Sequence, residues 1–145
     1  MKASIAARVA ILAVAVGAVA YLSTRNRPAT IKLENLRFDH ANRTYRINEN
    51  ITIWTQATNL AVKNNQIHVS ATLTVNNGTG TIYEDTVAEI QQEWTRKNPR
   101  ANITCKLAVE EPGTYWIWIT AHDWQNTDKT GPSTDSTCDV LIVKP

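Results

Sequence analysis

Glycine and proline are scarce in this chain, five of each in 145 residues, and the glycines are too scattered to build a phosphate-cradling loop. Only three histidines occur, His40, His68 and His122, and no H-x-x-x-H spacing sets two of them on one helix face for zinc. The nucleophile elbow G-x-S-x-G is missing. The adjacent Glu110 and Glu111 lie beside a Pro-Gly turn, where solvated carboxylates are ordinary and general-acid work is not expected. Fifteen Lys and Arg against thirteen Asp and Glu leave a net charge of +2, with no basic run, so the electrostatic footprint of a nucleic-acid binder is lacking. Together these absences argue against an enzyme, a metal site, a resident cofactor and a nucleic-acid partner.

A long hydrophobic run is also lacking, except at the start. Lys2 and Arg8 precede an uncharged apolar stretch from Val9 to Leu22 that ends near the small-residue triplet Ala18-Val19-Ala20. This is the anatomy of a secretory signal peptide. The stretch is shorter than the ~20 residues that span a bilayer, but a helix over 5–22 with Arg8 snorkelling to the surface reads equally well as a retained membrane anchor. Both readings put residues 1–22 in an export segment, make the polar, Pro-containing 23–30 a tether, and send 31–145 outside the cytoplasm as one domain. A pilin-like subunit, with this helix buried in a filament core, is a third reading. It is weakened by the lack of an acidic residue near the helix start.

Cysteine occurs twice. In an exported chain, Cys105 and Cys138 read as a disulfide, whereas two free thiols suit a reducing compartment. Four N-x-T sequons, at Asn42, Asn50, Asn77 and Asn102, are glycosylation candidates for a secreted chain.

What is abundant is alternation. From Ile31 onward the hydrophobic period is 2, and Ile, Val, Thr, Trp and Tyr dominate, as strands prefer. Strands are expected over 31–38, 51–59, 66–76, 79–84, 86–94, 101–109, 114–123 and 136–143, with 86–94 alternating poorly enough to be a helical turn or an irregular edge. Asn77-Gly78 predicts a hairpin, and Pro112-Gly113 a tight reversal before the strand that follows. The stretch 123–139, with Asp123, Asp128, Asp135 and Asp139, reads as a solvated acidic loop. Its oxygens suit calcium, but it lacks the ordered spacing of a known calcium loop.

The segments ITIWTQATN, IHVSATLTVNNGTG and NITCKLAVEEPGTYWIWITAHD resemble the immunoglobulin-like modules of surface proteins, of the fibronectin-III-like, polycystic-kidney-disease-type or bacterial cell-adhesion-related kinds. In these a Gly-x-Tyr opens a central strand that ends in Asp, matched here by Gly113, Tyr115, Ile117, Ile119 and Asp123. The resemblance spans about 31–143 and is specific for an architecture, not an activity. It implies an all-β fold, an immunoglobulin-like antiparallel β-sandwich of about seven to eight strands, preceded by the N-terminal hydrophobic helix. The cysteines depart from the antibody pattern, and a Cys105–Cys138 bridge would clip the ends of two strands.

Period-2 geometry then assigns faces. Tyr115, Ile117, Ile119 and Ala121 face inward, as do Ile103, Cys105, Leu107 and Val109, and Cys138, Val140 and Ile142. Trp116, Trp118, His68 and Thr72 face outward on one sheet, and Trp54 faces outward from its own strand. A patch of this kind marks a contact surface, unless cross-strand neighbours cover the tryptophans. The expected function is an exported, envelope-associated interaction module that binds a protein partner or itself through this outer sheet or a strand edge. The alternative is a carbohydrate-binding module with tryptophan stacked on a glycan.

Overall fold

The computed structural model describes residues 30–128 and 130–145. The signal-peptide or anchor reading of 1–22, and all but the last residue of the 23–30 tether, lie outside the described residues. Among the described residues there are eight strands and no helix. They are β1 (Lys32–Phe38), β2 (Thr44–Arg46), β3 (Ile51–Thr58), β4 (Gln66–Asn76), β5 (Thr81–Glu93), β6 (Ala101–Leu107), β7 (Gly113–Asp128) and β8 (Gly131–Lys144). Two sheets form, a three-stranded one in the order β1-β3-β6 and a five-stranded one in the order β2-β8-β7-β4-β5. All neighbours pair antiparallel except β2, which runs parallel to β8.

The sandwich follows from the alternation. In β3, Ile51, Ile53 and Ala57 are fully buried, and in β4 so are Ile67, Val69, Ala71, Leu73 and Val75. Facing them are Ile103 from β6, Ile117, Ile119 and Ala121 from β7, and Leu141 from β8. Each large aliphatic side chain so buried contributes about 1.5–3 kcal/mol relative to exposure. Trp94, 5% exposed, joins the same core just beyond the end of β5, its backbone N–H donating to the Asn65 carbonyl at 2.7 Å.

The scarcity of glycine is met by asparagine. Asn35, Asn48, Asn59, Asn64, Asn65 and Asn98 all take positive φ, the left-handed conformation that Asn tolerates best after Gly because its short amide bonds locally. Glycine serves the β4–β5 hairpin, where Gly78 has φ +94° and donates its N–H to Asn76 Oδ1 at 2.7 Å, and the β7–β8 turn, where Gly131 has φ +117°.

Four sequence expectations change. The segments 79–84 and 86–94 are one edge strand, β5, whose poor alternation comes from register shifts against β4 between Ala71 and Thr72 and between Val75 and Asn76. The supposed acidic loop 123–139 is mostly hairpin, since β7 and β8 extend to Asp128 and from Gly131. In β8 the faces are reversed: Leu141 and Val143 are buried and Ile142 is exposed, because Tyr115 pairs with Leu141 and Ile117 with Asp139. Both parities of VLIV are apolar, so alternation could not choose between them.

The fourth change concerns the disulfide, which does not form: Cys105 and Cys138 are free. Cys105 points into the core from the three-stranded sheet, 2% exposed, while Cys138 follows the outward parity of β8 in the other sheet and is exposed. The sheet that carries Cys138 lies between the two thiols, which no rotamer change overcomes.

The polar residues on the inner parity of β8 have partners of their own. Ser133 Oγ accepts the Ile31 N–H at 3.2 Å, Asp135 Oδ2 accepts the Leu33 N–H at 2.7 Å, and Asp139 Oδ2 lies 3.2 Å from Arg43 Nε. Side chains thus close the edge between β1 and β8 where a ladder would otherwise be needed. Asp123 also turns inward but binds the Ala61 and Gln125 N–H groups, so these acids are held by separate partners and do not converge on one site.

Candidate interaction surface

The outer face of β4, β7 and β8 is built by the residues whose neighbours in sequence fill the core. Thr72 sits opposite Thr120, which sits opposite Ser136, and the Thr120 and Ser136 hydroxyls are 2.9 Å apart. One step along, Ser70 pairs with His122, and His122 Nδ1 lies 2.8 Å from Thr134 Oγ1. Toward the other end Trp118 lies between Thr74 and Cys138, and Trp116 between Asn76 and Val140.

Trp116 and Trp118 face outward as their parity predicts, but they are not open in the same degree. Trp116 is only 5% exposed. Trp118 is half-buried, with its Nε1 sealed from solvent and unbonded. The tryptophan most open on this face is Trp124, at 44% exposure. Its Nε1 donates to Ser70 Oγ at 2.8 Å, and its ring lies between His68 and His122, with centroids 6.2 and 5.9 Å away. His68 Nε2 is in turn 3.2 Å from Glu89 Oε1 and 3.3 Å from the Gln91 amide. The result is a fixed aromatic platform, its indole held by a hydrogen bond and flanked by two imidazoles, amid hydroxyls. Binding chemistry is available here through stacking and through donors and acceptors of both kinds.

Trp124 lies one residue beyond the expected strand 114–123, because β7 runs on to Asp128. The even-numbered alternation Trp116, Trp118, Thr120, His122 continues to Trp124 without a break, and that was the signal available.

Asp123 supports this platform from below. It is fully buried, its Oδ2 accepting the Ala61 N–H at 2.8 Å and its Oδ1 the Gln125 N–H at 3.1 Å. Burial pushes its carboxyl above the usual range, against the opposing pull of those two backbone donors. It ties the β3–β4 connection to β7 at the residue before Trp124.

The four residues expected on one sheet, Trp116, Trp118, His68 and Thr72, share this face. Trp54 does not join them: it lies on the outer face of the three-stranded sheet, beside Arg37 and opposite Thr104. All four sequon asparagines are exposed. Asn42, Asn50 and Asn77 lie at the end of the sandwich marked by the pairs Thr44–Ile142, Ile51–Leu107 and Asn76–Trp116. Asn102 lies near the opposite end, where the Lys32–Thr58 and Ala57–Ala101 pairs mark the entry of the chain.

No protein-family model matches the chain, and no curated protein matches it. Solved structures do match its fold. The CARDB domain of a Pyrococcus furiosus protein, solved with two metal ions, aligns with a TM-score of 0.50 at 13% identity over 81% of this chain and 90% of that domain. An alkylpurine DNA glycosylase of Pseudomonas fluorescens, bound to DNA containing an abasic-site analog, aligns with a TM-score of 0.55 at 8% identity over 81% of this chain. A Listeria innocua β-glucosidase in complex with glucose aligns with a TM-score of 0.50 at 10% identity, again over 81%. This chain spans 31% of the glycosylase and 16% of the glucosidase. At such identities the likeness is one of fold alone.

Proposed function

We propose that the chain is an exported, envelope-associated immunoglobulin-like module that binds a protein partner, or a second copy of itself, through the outer face of its five-stranded sheet. The observation that carries this reading is Trp124, a half-open indole fixed by Ser70 between His68 and His122. Aromatic side chains held rigid before binding lose little entropy on contact and dominate interface energetics. Trp118, Cys138 and Ile142 extend the apolar part of the same face, with Thr72, Thr120 and Ser136 as its polar rim.

The export reading draws support from the sequence of 1–22 and from the four exposed sequons, against the two free thiols, which suit a reducing compartment. Three of the sequons stand at the end remote from residue 30, which would project away from a membrane holding the N-terminus. The immunoglobulin-like assignment is favoured by the strand order and by Tyr115 at the start of β7, whose hydroxyl donates to the Glu111 carbonyl at 2.7 Å in the manner of a tyrosine corner.

A photo-crosslinking residue placed at Thr72 and, separately, at Thr104 on the opposite sheet tests the reading in intact cells. The expected result is a discrete adduct from position 72 that vanishes when Trp124→Ala is added. Equal adducts from both positions, or none from 72, would reject this face as the contact.

A further inference from the structure

A cleft of about 550 Å³ lies on the outer face of the three-stranded sheet, away from the surface described above. It is lined by Asn35, Arg37, Trp54, Gln56, Asn102 and Thr104, together with backbone beneath. Its opening has a local cause. The pairing of β1 with β3 shifts register between Glu34 and Arg37, where Asn35 takes φ +57°, and a bulge of this kind bends an edge strand away from its neighbour.

One wall of the cleft is a sequon. Asn102, Ile103 and Thr104 run along β6, with Asn102 and Thr104 outward and Ile103 in the core. Asn102 pairs directly with Gln56 and Thr104 with Trp54, so the indole stands one diagonal step from Asn102, roughly 7–8 Å in an antiparallel pair. Gln56 Nε2 donates to Asn102 Oδ1 at 3.1 Å. That bond occupies the amide oxygen and leaves Nδ2, the atom that carries a sugar, outside it. The Arg37 guanidinium lies over the Trp54 ring, 5.5 Å from its centre, so a saccharide here would meet the uncovered part of the indole with this planar donor set beside it.

We infer that Asn102 carries an N-linked saccharide whose first ring lies in this cleft against Trp54, with Arg37, Asn35 and Gln56 bonding its hydroxyls. This inference rests on the export part of the proposed function, not on the partner-binding face. The apolar C–H face of a pyranose complements the electron-rich face of an indole, and the amides and guanidinium supply the directional donors a polyol needs. In the coupling, Asn102 Nδ2 bonds to the anomeric carbon of a saccharide carried on a lipid diphosphate. The anomeric C–O bond breaks, the lipid diphosphate leaves with the electron pair, and the proton lost from Nδ2 passes through solvent to a phosphate oxygen of that leaving group.

The other three sequons differ in setting and not in the state of the amide. Asn77 Oδ1 accepts the Thr79 N–H and hydroxyl at 3.0 and 2.7 Å within a hairpin tip, and Asn42 Oδ1 accepts the Thr44 N–H at 3.1 Å within a turn, so these bonds, too, leave Nδ2 outside them. No tryptophan pairs with a residue of any of these three sequons on the strand ladders.

The test begins with glycopeptide mass spectrometry of the full chain purified from its own cells, followed by thermal unfolding before and after enzymatic removal of glycans. The peptide containing Asn102 is expected to carry saccharide mass, lost in Thr104→Ala and kept in Thr104→Ser. Removing the glycan is expected to lower Tm by about 4 °C in the wild type and to leave Trp54→Ala unmoved. A bare Asn102 in a chain that bears sugar on Asn42, Asn50 or Asn77 would overturn the inference alone, and so would bare sequons throughout an exported chain. A chain recovered from the cytoplasm would overturn the export reading along with it. Saccharide on Asn102 with the same Tm loss in Trp54→Ala as in the wild type would overturn the seat in the cleft, as would binding of the released glycan to the unmodified chain with Asn102 bare.

Discussion

The Tyr115 hydroxyl donates to the Glu111 carbonyl at 2.7 Å, spanning the reversal between β6 and β7 while the ring stays 4% exposed in the core. Gly113 lies inside this reversal, and a Cβ there would touch the Tyr115 ring at 3.6 Å. One side chain thus anchors the entry of the longest strand to the connection before it. Tyr115→Phe keeps the packing and removes only the bond, so the expected loss is about 1 kcal/mol. A urea midpoint that falls at unchanged slope would confirm it, and an unchanged midpoint would show that the bond contributes nothing net.

Asp123 makes a prediction with a definite sign. Burial raises its folded-state pKa, with the Ala61 and Gln125 donors opposing. The folded chain therefore holds this proton more tightly than the unfolded chain, whose value is about 3.9. Its contribution to stability is full below that value and is lost as pH rises through the folded-state pKa. Asp123→Asn is expected to remove this component of the pH dependence between pH 3 and 7. Asp123→Ala should cost about 2 kcal/mol or more at any pH, since two backbone N–H groups lose their acceptor. Chemical unfolding across that pH range distinguishes the two variants from the parent.

Most of the sandwich was legible because β3, β4 and β7 alternate cleanly, and period 2 converts alternation directly into a core face. Legibility failed where alternation was ambiguous. VLIV in β8 is apolar at both parities, so its register came from pairing with Tyr115 and Ile117 and carried Cys138 to the outside. β5 failed because two bulges reset its parity, and β2 because three residues give no periodic signal. Of the candidate surface, Trp118, His68 and Thr72 were readable from parity alone. The burial of Trp116 was not, because cover depends on neighbours that strand order brings together. Trp124 was missed because an acidic, hydroxyl-rich composition looked like a loop although the alternation ran on through it.

His40 gives a pH effect of opposite chemistry near neutrality. Its Nδ1 lies 2.8 Å from the Thr44 carbonyl, its Nε2 3.1 Å from Glu49 Oε2, and its ring stacks on Tyr45 at 4.3 Å. The Thr44 carbonyl and then the Glu49 and Asp39 charges raise its pKa against slight desolvation. The protonated ring is favoured in the fold, so its contribution is complete below about 6.5 and fades as pH rises through the folded value. Titration followed by NMR should place the His40 midpoint above that of an unfolded peptide. His40→Gln should remove the associated slope in stability between pH 6 and 8.

The two thiols are expected to behave as unlike groups. Burial pushes both thiols up to about 11, helped at Cys138 by the Asp139 charge, so they differ in access and not in acidity: Cys105 is sealed in the core, whereas Cys138 is exposed on the outer sheet. A maleimide should label one thiol in the native chain and two after unfolding. Reduction should change neither electrophoretic mobility nor unfolding midpoint, because no bond joins the pair. An intact mass two hydrogens short of the thiol form, in a monomer, would contradict this.

The outer face separates two tryptophans that sequence parity treats alike. Trp116 is 5% exposed and Trp124 is 44% exposed, so removing the first opens a cavity and removing the second mostly clears surface. Trp116→Ala is expected to cost about 3 kcal/mol or more. Trp124→Ala should cost less than about 1 kcal/mol, chiefly the single bond to Ser70. The order reverses for association: crosslinking from position 72 should be abolished by Trp124→Ala and retained by Trp116→Phe. If Trp124→Ala leaves the adduct intact while Trp116→Phe removes it, the contact lies at the covered end of the face, and Trp124 is a surface residue without a partner.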